Sequence, residues 1–437
     1  MWRYLPRALL ACIVLGTVNA QVAEYERAPI HYAEQPGDDA VTRLRARLEV
    51  GEAELDYVEG QGYLLGLLRA LGVPTSSQAL VFSKTSLQLR RISPRTPRAV
   101  YFGDEVYVGY VPGGEVLEIT AMDRDQGALF YTLAQTRDGP PRFEQHTDRC
   151  LSCHASGRTA GWPGHLVRSV LTDADGHPLT AASSFVTTDA SPLAERWGGW
   201  YVTGTHGGQR HLGNLITNAT LRDQHPPQLR DLDLEPGANL SHLPARVQAH
   251  RYPTPHSDLV ALMVLEHQTH MHNVLTRARY VTLSELHRQA ERARWDPDAD
   301  VTSPTRRTLR EVASEVVDAL LFRDEARLRE PVRGTSAFAA EFAALGPRDA
   351  TGRSLRELDL ERRLFRYPCS YLIYSPAFDA LPAPLLDVVY ERLWRVLTGR
   401  FGQRSYQPTR TQRQAILDIL LATKRGLPPE WGSVEVR

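Results

Sequence analysis

Cys150-Leu151-Ser152-Cys153-His154 brings together the three side chains most able to do chemistry in this chain. Two thiols three positions apart can each form a thioether with one of the two vinyl groups of a porphyrin. The histidine that follows then lies under the metal and offers an imidazole nitrogen as an axial ligand. The CxxCH pattern therefore predicts one covalently attached haem c. Cys150 and Cys153 are its attachment points and His154 its proximal ligand. A redox dithiol or half of a zinc site would use the same CxxC pair. Zinc would need two further ligands, and no second CxxC occurs in the sequence.

Chemistry of this kind needs export, and the N-terminus carries the signal for it. Arg3 and Arg7 precede an apolar run from Ala8 to Val18, and Val18-Asn19-Ala20 offers a small-residue cleavage site. Residues 1–20 thus read as a secretory signal peptide, which implies a periplasmic or secreted protein. Leu9-Leu10-Ala11-Cys12 also fits a lipoprotein signal, with Cys12 as an anchor. The apolar region continues past Cys12, which favours simple cleavage. After residue 20, 49 basic residues face 51 acidic ones, a balance that argues against a nucleic-acid partner. No later apolar run is long enough for a transmembrane segment. Cys369 is then the cysteine left over and is expected to be a buried apolar side chain. Lys84 and Lys424 are the only lysines, so a lysine-ringed docking face is absent. Lys84 reads as a surface residue.

A second axial ligand is harder to find. The next methionine after the motif is Met263, 109 residues beyond His154, too far for the plan of a small soluble cytochrome. Met263, His267, His270, Met271 and Val274 share one face at helical spacing. His267 is the first choice for the distal ligand and Met271 the second. The loop holding His206 and His211 is another source, with His146 and His165 behind it. Glu266, His267 and His270 are also spaced to chelate a metal from one helix. Arg149, Arg158, Arg168, Arg196 and Arg210 are available for the haem carboxylates. Trp162, Trp197, Trp200 and Tyr201 are available as walls.

The elements that must position these residues read as α+β. A helical N-terminal segment (21–95) has helices between Asp38 and Leu71. A central antiparallel β region (96–255) carries the haem motif, with strands at 100–102, 106–108, 116–119 and 129–131. Further strands are expected near 166–171, 185–188 and 197–203, and 222–255 as a long irregular connection. A mainly helical C-terminal region (256–437) starts with a helix capped by Ser257 or Asp258 that ends near Arg279. Thr282 caps the next helix, to about Arg294, and others follow at 303–328, 384–397 and 411–423.

At the signal sequence and the CxxCH motif the chain resembles the large mono-haem c-type cytochromes of exported bacterial proteins. More loosely, Trp197-Gly198-Gly199-Trp200-Tyr201-Val202-Thr203-Gly204, Glu266-His267-Gln268 and Arg366-Tyr367-Pro368-Cys369-Ser370-Tyr371 look like segments of uncharacterised cytochrome c domain proteins. The resemblance implies covalent haem and redox chemistry and brings no substrate. The expected function is electron transfer to a redox partner protein. The alternative is a haem-dependent, peroxidase-like oxidoreductase with an open or displaceable distal site, prompted by the chain's size. A ligand-sensing protein is a third possibility.

Overall fold

The computed structural model describes residues 23–179, 184–219, 229–296, 302–400 and 408–433. The expected signal peptide, including Cys12, lies outside these residues.

The fold is α+β. Its centre is a six-stranded antiparallel sheet in simple sequence order, β1 (Ala79–Val81), β2 (Arg98–Phe102), β3 (Val106–Tyr110), β4 (Val116–Asp123), β5 (Gly127–Ala134) and β6 (Phe143–Gln145). Tight turns rich in Gly and Asp join the inner strands. At the β4–β5 hairpin Gly127 has φ +71° and leaves no room for a side chain beside Thr276.

Successive side chains alternate between the faces of this sheet. Ala99, Tyr101, Val108, Tyr110, Leu117, Ile119, Tyr131 and Leu133 enter one buried cluster. There they pack with residues of α1 (Ala40–Glu49) and α2 (Leu64–Ala70). Asp39 starts α1 by accepting from Val41 N and Thr42 N, and the Tyr131 hydroxyl donates to the same carboxylate at 2.6 Å. The opposite face carries Arg98, Val100, Tyr107, Glu118, Thr120 and Thr132. Glu118 pairs with Gly109 on one side and Thr132 on the other.

A short helix, α3 (Leu151–His154), follows β6. Next come β7 (Arg168–Val170) and β8 (Ser184–Val186), which pair antiparallel. Residues 197–203, expected to form a strand, are largely irregular. Their pairing is limited to isolated bridges, such as Val81 with Trp200, before the two-residue β9 (Gly204–Thr205). The described part of 222–255 has only short 3-10 turns, as expected of a connection.

One 37-residue helix, α4 (Leu259–Trp295), replaces the two helices expected between residues 257 and 294. Asp258 is its N-cap, accepting from Val260 N and Ala261 N. The other candidate, Ser257, instead bonds Leu80 N and Tyr201 O. Thr282 sits inside the helix, fully buried, where packing overrides its preference for a cap. From Leu259 to Leu265 every residue is buried, because the sheet covers one side of α4 and helices cover the other. Those helices are α5 (Thr302–Leu320), α6 (Phe338–Ala344) and α7 (Pro376–Asp379); α8 (Ala383–Leu397) packs on α5, and α9 (Arg410–Thr423) on α8. A second two-residue strand, β10 (Arg333–Gly334), pairs with β9. Thr409 and Gln412 form a reciprocal capping box at the start of α9. Among the described residues no helix is long and apolar enough to cross a membrane.

Candidate functional site

Cys150, Cys153 and His154 open into a cavity of about 550 Å³, within the size range of cofactor and ligand sites. Its floor is the polar face of the sheet, from Val81 on β1 through Arg98, Val100, Tyr107, Glu118 and Thr120 to Phe130 and Thr132 on β5. Its walls are α3, the loop at Thr85–Leu89, the 165–168 segment, Trp200, and Leu265 and Thr269 of α4.

The local structure holds the motif in a definite pose. His154 N bonds Cys150 O at 2.9 Å, so the two cysteines and the histidine lie on a single helical turn. The His154 ring packs against Phe130, with centroids 4.8 Å apart. Its Nδ1 lies 2.8 Å from Gly164 O, a contact that requires Nδ1 to carry the proton. Nε2 is thereby left with its lone pair, and it has no hydrogen bond among the described residues. Burial holds the His154 pKa below that of a free imidazole, which keeps the ring neutral and able to ligate.

Gly164 is itself anchored from α4. Asn273 Oδ1 accepts from His165 N at 2.7 Å, and Asn273 Nδ2 donates to His165 O at 2.8 Å. A side chain on Gly164 would collide with that amide, which explains the glycine.

The thiols are unbridged, with Cys153 exposed and Cys150 half-buried. Burial, reinforced by the Glu118 carboxylate, pushes the Cys150 thiol up to about 11. A dithiol redox centre works through a thiolate with a lowered pKa, so this environment is the opposite of what such a centre needs. Among the described residues, no three His, Cys, Asp or Glu side chains are grouped to hold a metal ion.

Arg98 reaches across β3 to pair with Glu118 at 2.9 Å. It lies over Gly109, where any side chain would overlap the guanidinium. Arg149, Arg158 and Arg168 also line the cavity, and none of them pairs with an acid among the described residues. These cations suit bound carboxylates.

The structure does not bring His267 or Met271 to this cavity. The residues of α4 that line it are Leu265 and Thr269. At 3.6 residues per turn, His267 stands roughly 160–200° round the helix from both. His267 Nε2 bonds Ser370 Oγ at 2.8 Å, and its ring stacks on Phe322 at 4.2 Å. Met271 is fully buried in the same helical core. His270 turns to Asp189, at 2.7 Å, and Glu266 to Arg196, at 2.9 Å, so the expected chelating trio is engaged elsewhere.

Ser370, His267 and Asp189 have the residue types of a hydrolytic triad. However, Ser370 and His267 are fully buried, and His267 Nδ1 is 3.8 Å from Asp189. A substrate has no access to them.

His206 accepts from Asn239 N and His211 from Gly213 N, both outside the cavity. His146 bonds Thr132. Arg210 pairs with Glu235. Trp162 packs on Tyr280, Trp197 on His211, and Tyr201 bonds Pro94 O, which leaves Trp200 as the one expected aromatic wall that lines the cavity. Lys84 Nζ lies 3.3 Å from His177 Nε2, away from the cavity. Cys369 is fully buried.

Sequence reasoning missed Arg98, Glu118, Gly164 and Asn273. A signal existed for the first two. Arg98, Glu118, Thr120 and Thr132 interrupt otherwise apolar strands at alternate positions, the mark of a second face with work of its own. The chain matches no protein-family model, no curated protein and no solved structure, so a functional reading rests on its own residues.

Proposed function

We propose that this chain is an exported c-type cytochrome that holds one covalent haem and exchanges electrons with a redox partner protein. The observation that carries the proposal is the coincidence of the CxxCH turn with a mainly apolar cavity at which Arg149, Arg158 and Arg168 have no acid partner among the described residues. Cys150 and Cys153 would hold the group as thioethers and His154 would supply its proximal nitrogen. When bound, the haem iron supplies one-electron exchange between its ferric and ferrous states.

The chain's own residues have separable tasks around that group. The Gly164 carbonyl fixes the His154 tautomer and ring orientation, as the outer partners of metal-binding histidines do. Arg149, Arg158 and Arg168 are placed to neutralise the two carboxylates. Val100, Phe130, Trp200 and Leu265 keep water from the centre, and burial of that kind tunes a haem potential. Exposed Cys153 leaves one edge near solvent, where a partner can approach.

A second reading, a haem-dependent oxidoreductase with an open distal side, draws support from the distance of His267 and Met271 from the cavity.

Expression alongside haem c maturation machinery, followed by a pyridine haemochrome spectrum, tests the proposal. One haem per chain should survive denaturation. The Cys150→Ala and Cys153→Ala variants should each shift the spectrum to that of a single thioether. Complete extraction of haem from the denatured wild-type chain by acidified solvent would refute covalent attachment and the proposal with it.

A further inference from the structure

We infer that the haem iron bound by His154 keeps its sixth position open to a small anionic ligand, and that Arg98 is the side chain that hydrogen-bonds that ligand. The inference rests on the covalent-haem reading above and deepens it.

Among the described residues two imidazoles line the cavity, those of His154 and His165, and no methionine or lysine does. Met263 and Met271 lie in the helical core, and Met122 lies in the cluster beneath the sheet. Tyr107 is committed through its hydroxyl, which accepts from Gln268 Nε2 and lies 2.9 Å from His272 Nδ1. Glu118 is committed to Arg98.

Among the described residues His165, whose two buried ring nitrogens have no hydrogen-bond partner, is therefore the one rival for the sixth position, and its backbone placement argues against it. The Gly164 carbonyl is bound to Nδ1 of His154, on the side of the ring away from Nε2. His165 follows Gly164 directly, and one peptide step is about 3.8 Å. That step keeps the His165 backbone on the Nδ1 side of His154, so only its side chain would be left to pass the edge of a bound macrocycle. The two Asn273 hydrogen bonds hold the His165 backbone where it is, and its ring packs on Tyr107 with centroids 4.3 Å apart.

Beyond His154 the cavity continues across the sheet to Val100 and Val81, roughly 19 Å at about 4.8 Å per strand from β5 to β1. Within this span Arg98 lies flat over Gly109. One arm of its guanidinium reaches Glu118, and its buried Nε has no partner among the described residues. A guanidinium with donors to spare in a mainly apolar enclosure is suited to hydrogen-bond an anion.

The test is spectroscopic and needs no assumed substrate. Ferric holoprotein is titrated with cyanide and with fluoride, and ferrous holoprotein with carbon monoxide. All three should shift the Soret band saturably. Arg98→Leu should weaken fluoride about tenfold or more, the worth of one charge-assisted hydrogen bond. Carbon monoxide binding should barely change, and Arg98→Lys should fall between.

A haem that is covalent but low-spin in both oxidation states and unmoved by all three ligands would overturn the open site. Conversion of such a haem to high spin by His165→Ala would identify the ligand that had been wrongly excluded. Unchanged fluoride affinity in both Arg98 variants would remove Arg98 from its role. Absence of covalent haem in the wild type would overturn the underlying reading, and this inference would fall with it.

Discussion

Asn273 is the link between the long helix and the motif, and removing its amide should damage both. Asn273→Ala deletes two short hydrogen bonds, at 2.7 and 2.8 Å, to the backbone of His165. Each is worth about 1 kcal/mol net, and leaving a partly buried peptide group without a partner adds to the cost. The expected loss is roughly 2–4 kcal/mol, from a total that for a domain is about 5–15 kcal/mol. The variant should therefore fold, with a urea midpoint lowered and a slope unchanged. Asn273→Asp keeps the acceptor but turns a carboxylate oxygen towards the His165 carbonyl, so near neutral pH it should rescue nothing. Gly164→Ala should imitate the loss, because the added methyl would displace the same amide. The Asn273→Ala, Gly164→Ala double variant should lose less than the sum of the two. A loss below about 0.5 kcal/mol in Asn273→Ala, or strict additivity in the double variant, would refute the idea that this amide holds the segment behind His154.

Three further expectations concern the supporting frame. Asp258→Ala removes the cap of α4 and also the acceptor for Thr335 N, Ser336 N and Ser336 Oγ, so it should cost roughly 3–5 kcal/mol in chemical denaturation. A loss under about 1 kcal/mol would contradict that. Burial raises the Glu266 carboxyl from 4.5 to about 7, against the pull of Arg196. Between those values the folded chain holds a proton that the unfolded chain has released. This contribution to stability is therefore complete below about 4.5 and is lost as the pH rises to about 7. Glu266→Gln should gain on the wild type over that window by roughly 3 kcal/mol, at 1.36 kcal/mol per pKa unit, and a pH-independent difference would contradict the sign. Burial also pushes the Cys369 thiol up to about 12. A thiol reagent should leave Cys369 unmodified in the folded chain and modify it on unfolding, as read by mass spectrometry; rapid labelling of the folded chain would place it at the surface.

How far the site was legible depended on the range of the interactions involved. The CxxCH turn is local chemistry, and its three side chains lie together on one helical turn because i to i+4 hydrogen bonding brings them there. The four inner strands were also visible, because alternation and Gly/Asp turns act over a few residues. Asp258 was visible as a cap for the same reason. The single 37-residue α4 was not. Thr282 has the chemistry of a start signal, and only packing on both sides of the helix holds that residue in the middle of it.

The ligand stripe on α4 shows where sequence reasoning stops. Period 3.6 establishes that Met263, His267, His270, Met271 and Val274 share a face, but a helix carries no mark saying which face meets which neighbour. In the tertiary structure Leu265 and Thr269 meet the cavity, while His267 packs against Phe322 and Phe365. The sequence by itself determined the CxxCH turn on which the proposed haem attachment rests, since that turn needs only five consecutive residues. What lines the space before His154, and what fixes the Gly164 carbonyl behind it, were decided by the tertiary structure, which brings Arg98 and Glu118 of the sheet to the motif's cavity and ties Asn273 to His165 across 108 residues of chain. Those contacts arise only when the polar face of the sheet and α4 close around the same space.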